Sequence, residues 1–351
     1  MYPLLKIDTK KFEHNLKVIS NLMSKNNLST MIVSKVFCAA QNLIDIINNG
    51  DVEYIADSRV ENLKNMETSK KKVLLRLPSV SDVIDTVSYC DISLNSEITT
   101  IRKLNEAAFA IGKIHQIILM VDLGDLREGI FDYQELKQTV EDILELKFIE
   151  LVGLGTNLTC YGGVIPTVNT YDKFDSIIKK LKEDTGFTPK IITGGNSSSI
   201  DLLINSKLPK FISNLRIGEA LVLGRETAYG DYIDNMYNNV FTLEAELIEV
   251  KNKPSLPIGE IGMNAFGEKP TFTDIGTHKR GIISIGRQDV DYNDLIPLDS
   301  IDILGSSSDH IILDLSKSET NYHVGDSIKF NLTYGSILSL FTSKYVEKKY
   351  E

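Results

Sequence analysis

Eight short, apolar, β-branched runs recur along the chain before residue 229, and between them lie stretches with helical periodicity. The runs fall at residues 30–40, 52–57, 72–78, 91–94, 115–122, 148–156, 190–193 and 211–216. Runs of this length, bounded by polar turns, read as buried strands. The intervening stretch 8–25 places Phe12, Leu16, Ile19 and Leu22 or Met23 on one helical face, with Asp8 or Thr9 as its N-cap. A second helix is predicted over 41–49, stopped by Gly50, and a third over 97–111. Eight strand–helix units in about 220 residues predict an α/β fold, a (β/α)8 TIM barrel. A doubly wound open sheet is the main structural alternative.

The texture changes near Tyr229. Residues 241–250 alternate with period two, and β-rich runs at 281–285, 310–315 and 327–332 follow, punctuated by Gly and Pro. The expected organisation is therefore a barrel over 8–228 and an all-β C-terminal domain over 229–351, with a strand within 1–7 as a candidate to join the latter. A chain of 351 residues is long enough for both.

Bulk properties remove several classes of function. The chain is 42% hydrophobic and 25% charged, as globular proteins are, and its net charge of -10 argues against a general nucleic-acid or membrane-surface binder. No apolar run approaches the roughly 18 residues of a membrane span, and the start lacks the apolar segment of a signal peptide. Cys38, Cys90 and Cys160 are odd in number and unclustered, which suggests a reducing, cytoplasmic setting. No His/Cys spacing suggests a metal site, and no period suggests a solenoid.

Candidate chemistry gathers at the predicted strand ends. Lys35 closes the first run and emerges at the carboxyl end of an inner strand, the end where barrel active sites lie. The plain alternative is a lysine that reaches solvent along its apolar stem. After the seventh run, residues 193–199 (TGGNSSS) combine small residues and hydroxyls ahead of a helix start, a pattern that suits an anion. After the eighth comes 215–220 (LRIGEA), and barrel phosphate sites commonly use these two loops. Without a ligand, the first segment is simply a helix cap. Residues 120–130 (MVDLGDLREGI) end the fifth run with Arg127 in a Gly-bearing loop, able to hold a carboxylate or to form an exposed ion pair.

Lys35, Arg127 in VDLGDLREGI, GGNSSS and LRIGEALVLG together resemble the alanine racemase family, the fold-type III pyridoxal phosphate (PLP) enzymes, over nearly the whole chain. SKVFCA, GEIGMNAFG, IGRQDVD and GSSSDHIILDL are most similar to the branch of that family that racemises ornithine. The resemblance implies a barrel followed by a β domain, PLP as cofactor, and a cytoplasmic homodimer with shared active sites. It implies that Lys35 forms the Schiff base with PLP, and that Asn196 and Ser197 hold its phosphate with help from Gly218. It further implies that Arg216 bonds the pyridine nitrogen and that Arg127 lies near the phenolic oxygen and the substrate carboxylate. Asp309 matches an aspartate supplied by the partner subunit.

The chemistry that follows is proton transfer at an amino acid's α-carbon. A lysine amine released by imine exchange is a base on one face. An arginine on the pyridine nitrogen keeps the ring a weak electron sink, which favours proton removal and return. The chain departs from the family in two places: 259–267 contains no tyrosine to act on the opposite face, and Ala39 stands where the family has a tyrosine. Cys160, Tyr161, Tyr334 and Asp309 are the alternatives for the second proton-transfer group. Asp309, Asp289 and Asp291 are candidates to meet the distal ammonium of a diamino acid. The rival functions are a basic amino-acid decarboxylase of the same fold, a non-catalytic PLP-binding protein, and a barrel enzyme for phosphorylated metabolites that uses no PLP.

Overall fold

The computed structural model describes residues 2–264 and 266–351. The stretch 259–267 discussed above therefore includes one position, 265, outside the described residues. The chain forms two compact units: Phe12–Asn238, and the segment up to Lys11 together with Asn239–Glu351.

In chain order the strands of the first unit are β2 (Ser29–Val33), β3 (Tyr54–Asp57), β4 (Lys71–Leu74), β5 (Ile92–Asn95), β6 (His115–Met120), β7 (Ile149–Gly155), β8 (Ile191–Thr193) and β9 (Asn214–Ile217), after β1 (Leu4–Ile7) of the other unit. They pair in parallel, and β9 returns to β2 with Met31 opposite Arg216, so the sheet is a closed eight-stranded barrel rather than an open one. Met31, Val33, Tyr54, Ala56, Val73, Ile92, Leu94, Ile118, Met120 and Val152 form one buried cluster from alternate strand positions. The intervening positions Ile32, Ile55, Ile117 and Leu119 are also fully buried. Strands covered on both faces need continuous apolar runs, as the sequence has. The first helix spans Thr9–Lys25, and the Asp8 carboxylate accepts the Lys11 N–H at 3.0 Å as its cap.

One run is shorter than its composition suggests. β2 stops at Val33, and Lys35–Phe37 form a 3₁₀ turn instead of the expected strand through residue 40. Cys38 and Ala39 then adopt left-handed φ angles of 48° and 51°, unusual for residues with a Cβ. The apolar side chains that read as strand, Val36 and Phe37, are buried by the turn instead, and Phe37 meets Phe12 edge to face at 5.7 Å.

The second unit is an antiparallel sheet built on β10 (Phe241–Pro254), β11 (Thr277–Ile283), β12 (Leu295–Pro297), β13 (Asp302–Ser306), β14 (Ile311–Asp314) and β15 (Ser327–Leu332). Its order is β12-β15-β10-β11-β14-β13. β1 lies between β10 and the final strand β16 (Glu347–Tyr350). No helix among the described residues is long and apolar enough to cross a membrane.

Candidate active site

The carboxyl ends of the barrel strands collect most of the residues singled out from the sequence. Lys35 opens the turn directly after β2 and is half-buried. Its neighbour Ser34 donates to the buried Asp57 at the end of β3 (2.6 Å), which also accepts the Arg59 N–H and the Asn62 amide at 2.9 and 3.0 Å. Burial pushes the Asp57 carboxyl up, against these bonds. Asp57 thus fixes the backbone on which Lys35 stands, a role no spacing in the sequence announces.

The β6 loop carries Arg127 and the acids Asp122, Asp125 and Glu128. Arg127 donates through Nε and Nη2 to the adjacent Glu128, the ion pair that is one of the two readings of this loop. Asp125, 1% exposed, does something different: it accepts the backbone N–H groups of Cys160, Tyr161 and Val164 at 3.2, 2.9 and 3.0 Å. Burial pushes its carboxyl up, but the N–H groups of Tyr161, Val164, Cys160 and Gly162 outweigh burial and hold it below the ordinary carboxylate range. The β6 loop and the β7 loop are stapled by that one side chain.

The β8 loop has the tight geometry its glycines imply. A Cβ on Gly194 would stand 2.7 Å from Ile212, and Gly195 has φ +113° with Ser199 Oγ 2.9 Å from where its Cβ would be. The buried Tyr171 hydroxyl bonds the Gly194 carbonyl and Ser199 Oγ, the latter at 2.8 Å. Asn196 accepts the Ser198 N–H at 2.8 Å and donates to Leu158 O at 2.8 Å and Asn157 Oδ1 at 3.1 Å, with Cys160 Sγ 3.6 Å away. Ser197 Oγ accepts the Ala220 N–H at 3.2 Å and so joins this loop to the β9 loop. Gly218 begins the β9 loop, and a Cβ there would approach Val33 of β2 to 3.2 Å. The loop of Asn196 and Ser197 is therefore beside that of Gly218, and Gly218 is beside the strand that leads to Lys35.

Arg216 occupies the inner face of β9, 4% exposed. It donates to Thr193 Oγ1 at 2.6 Å, Thr156 O at 2.7 Å and Asn157 Oδ1 at 3.1 Å. Burial pushes the guanidinium down to about 10, while the charges of Glu128 and Cys160 act upward and that of Arg127 downward. No carboxylate is hydrogen-bonded to it among the described residues. Ser198 Oγ, Thr156 Oγ1 and Asn157 Nδ2 are also buried with no hydrogen-bond partner among the described residues. Orphaned buried polar groups beside a buried cation suit a polar ligand. Of the residues considered for the second proton transfer, Cys160 is the one whose side chain meets this loop, with its Sγ 3.6 Å from the Asn196 amide nitrogen, and Tyr161 next to it is exposed.

In the β unit, Asp309 is exposed at the tip of the β13–β14 hairpin. The IGRQDVD segment docks on that tip: Arg287 N–H donates to Ser307 O at 3.0 Å and Gln288 N–H to Ser308 O at 3.1 Å. A Cβ on Gly286 would fall 2.3 Å from Ser308 O. Asp289 is buried and accepts the Ser343 hydroxyl at 2.6 Å, and Asp291 caps the turn at Asn293, so both are committed within the unit. Tyr334 opens the helix Tyr334–Thr342 of the same unit. No group of three or more His, Cys, Asp or Glu side chains among the described residues could hold a metal ion.

Comparison with known proteins places this geometry. A family model described as "Alanine racemase, N-terminal domain" matches residues 7–226. An ornithine racemase of Acetoanaerobium sticklandii is 48% identical over 351 residues, covering 99% of this chain and 99% of that protein. A lysine racemase of Thermotoga maritima is 37% identical over 355 residues, covering 100% of this chain and 99% of that protein. Among solved structures, alanine racemase from Bartonella henselae with covalently bound pyridoxal phosphate superposes with a TM-score of 0.74 at 16% identity, over 99% of each chain. At that identity the last likeness speaks for the fold.

Proposed function

This chain belongs to the alanine racemase family, and from that premise we propose that it is a PLP-dependent racemase interconverting L- and D-ornithine or a similar basic amino acid. Its end-to-end relatives are named for ornithine and lysine, both diamino acids. The structural observation that carries the reading is Arg216: a buried cation with no bonded carboxylate among the described residues, held by Thr156 and Asn157, whose Oγ1 and Nδ2 are orphaned, in the same ring of strand ends as Lys35.

The residues fit the cofactor. Gly194 and Gly195 leave no room for side chains in the β8 loop, the buried Ser198 hydroxyl is available to a phosphate oxygen, and Asn196 and Ser197 hold that loop against the one starting at Gly218. Lys35 would be the amine that holds the cofactor, and displacement by the substrate's own amine would leave it free to act as a base. When bound, the cofactor draws electron density from the bonds at the substrate's α-carbon. Lys35 removes the α-proton of one enantiomer and supplies it in the reverse direction. Even pushed down to about 10, Arg216 stays protonated at neutral pH, so it donates a hydrogen bond and releases no proton. That restraint favours reprotonation over routes through a long-lived carbanion, and so favours racemisation over decarboxylation. Arg127 holds the substrate carboxylate, and Cys160 is our candidate for the second proton-transfer group. In this reading the enzyme is a cytoplasmic homodimer, and Asp309 at its exposed hairpin tip enters the partner's site.

The experiment is incubation of the cofactor-loaded protein with L-ornithine, followed by chiral chromatography and a carbon dioxide assay. D-Ornithine without gas release is expected. Release of carbon dioxide would instead identify a decarboxylase, and pure L-ornithine with bound cofactor would reject racemisation.

A further inference from the structure

We infer that Glu128 determines substrate specificity: it orients Arg127 and supplies the negative charge that receives the distal ammonium of a diamino acid. The inference rests on the racemase reading above and names the side chain that selects its substrate class.

Glu128 is the more buried partner of its ion pair, its side chain 14% exposed against 45% for Arg127. The pair is built rather than incidental. Leu126 and Gly129, which flank it, have φ angles of 56° and 122°, and a Cβ on Gly129 would fall 2.6 Å from Asp122 N. Asp122 N–H donates to Ile130 O at 3.1 Å and Ile130 N–H to Met120 O at 2.9 Å, closing the loop behind the pair. The two Glu128 oxygens take the Nε–Nη2 edge of the guanidinium; Nη1 makes no hydrogen bond among the described residues.

The remaining edge is where a substrate carboxylate docks bidentately. Docking leaves two carboxylates around the Arg127 guanidinium in a partly buried place, with Arg216 the other cation whose charge bears on Glu128. The repulsion between those two carboxylates opposes binding. Ornithine or lysine relieves it, because its aliphatic arm is long enough to fold from one edge of a guanidinium to the other and bring an ammonium to Glu128. An amino acid without that group leaves the charge uncompensated, so the same residue both attracts diamino acids and disfavours the rest. Three other acids near these strand ends are committed elsewhere, which leaves Asp309 of the partner subunit as the rival for this role. Asp125 holds the β7 loop, Asp57 holds Ser34 and Arg59, and Asp122 Oδ1 accepts the Gly124 and Leu126 N–H groups at 2.8 and 3.2 Å.

The test compares L-ornithine with L-norvaline, which has the same carbon chain and no distal ammonium, on the cofactor-loaded enzyme. In Glu128→Gln the ratio of kcat/KM for ornithine over norvaline falls about 10- to 100-fold, the worth of one charge-assisted hydrogen bond, mainly through KM. Glu128→Asp restores part of that ratio. A binding measurement on the unmodified protein is independent of any variant's folding: by calorimetry, Nδ-acetylornithine binds as weakly as norvaline, and ornithine about 10-fold or more tighter. A proportionate loss on both substrates, or equal calorimetric affinity for ornithine and its acetylated form, overturns the assignment of Glu128 and leaves the racemase reading standing. Failure to racemise any amino acid would overturn that reading itself.

Discussion

Asp125→Asn should loosen the β7 loop without unfolding the barrel. The wild-type carboxylate accepts three backbone N–H groups from residues 160, 161 and 164 while almost wholly shielded from water. The asparagine keeps the volume but turns an NH2 group toward one or more of those donors, and the loss of charge weakens the rest. Buried bonds to an ionised group are worth about 1.5–3 kcal/mol each. Residues 160–162 lie at the surface, where water takes over part of the bonding, so the expected cost is about 2–4 kcal/mol rather than the full sum. Hydrogen exchange read by mass spectrometry on peptides covering 158–165 should then speed up by about 30- to 1,000-fold, with the barrel strands unaffected. The effect has a pH signature. Asp125 is held below its unfolded value, so its contribution is complete above about pH 4 and is lost as pH falls through the lower folded value. Wild type and variant should therefore converge in acid. Unchanged exchange in 158–165 at neutral pH, or a difference that grows on acidification, would refute the assignment of Asp125 as the staple.

Two further substitutions probe the rim. Arg216→Lys replaces a fork bonded to Thr193, Thr156 and Asn157 by a single ammonium that cannot reach all three, so activity should fall about 100-fold or more and stability by about 3 kcal/mol, measured by racemisation assay and urea unfolding. Gly195→Ala forces a Cβ into a left-handed backbone 2.9 Å from Ser199 Oγ, and should cost about 1–3 kcal/mol and lower cofactor affinity, read by fluorescence titration.

The barrel was legible because its signal is repeated: eight apolar runs at strand length, separated by helical periods, leave few alternatives, and only the closing contact of β9 with β2 had to come from tertiary structure. The first run was over-read because Val36 and Phe37 are as apolar as strand residues; what ends the strand is the left-handed pair Cys38 and Ala39, and neither residue type advertises that conformation. Lys35, Arg127 and the two late loops could be singled out as candidates because chemistry-bearing residues stood at predicted strand ends. Asp57 and Asp125 could not, since a lone aspartate in a loop carries no spacing and its partners are backbone N–H groups. Glu128 was hidden for another reason. Adjacent residues face each other only in particular loop conformations, and the one here depends on Leu126 and Gly129.

Everything proposed for catalysis depends on the amine after the first barrel strand. Loading the protein with PLP, reducing it with borohydride and mapping the digest by mass spectrometry reads that amine directly. The cofactor's mass is predicted on Lys35 and on no other lysine, and Lys35→Ala should lose both the label and the racemisation of ornithine. A label on a different lysine, or no label on a folded protein saturated with PLP, would contradict the account.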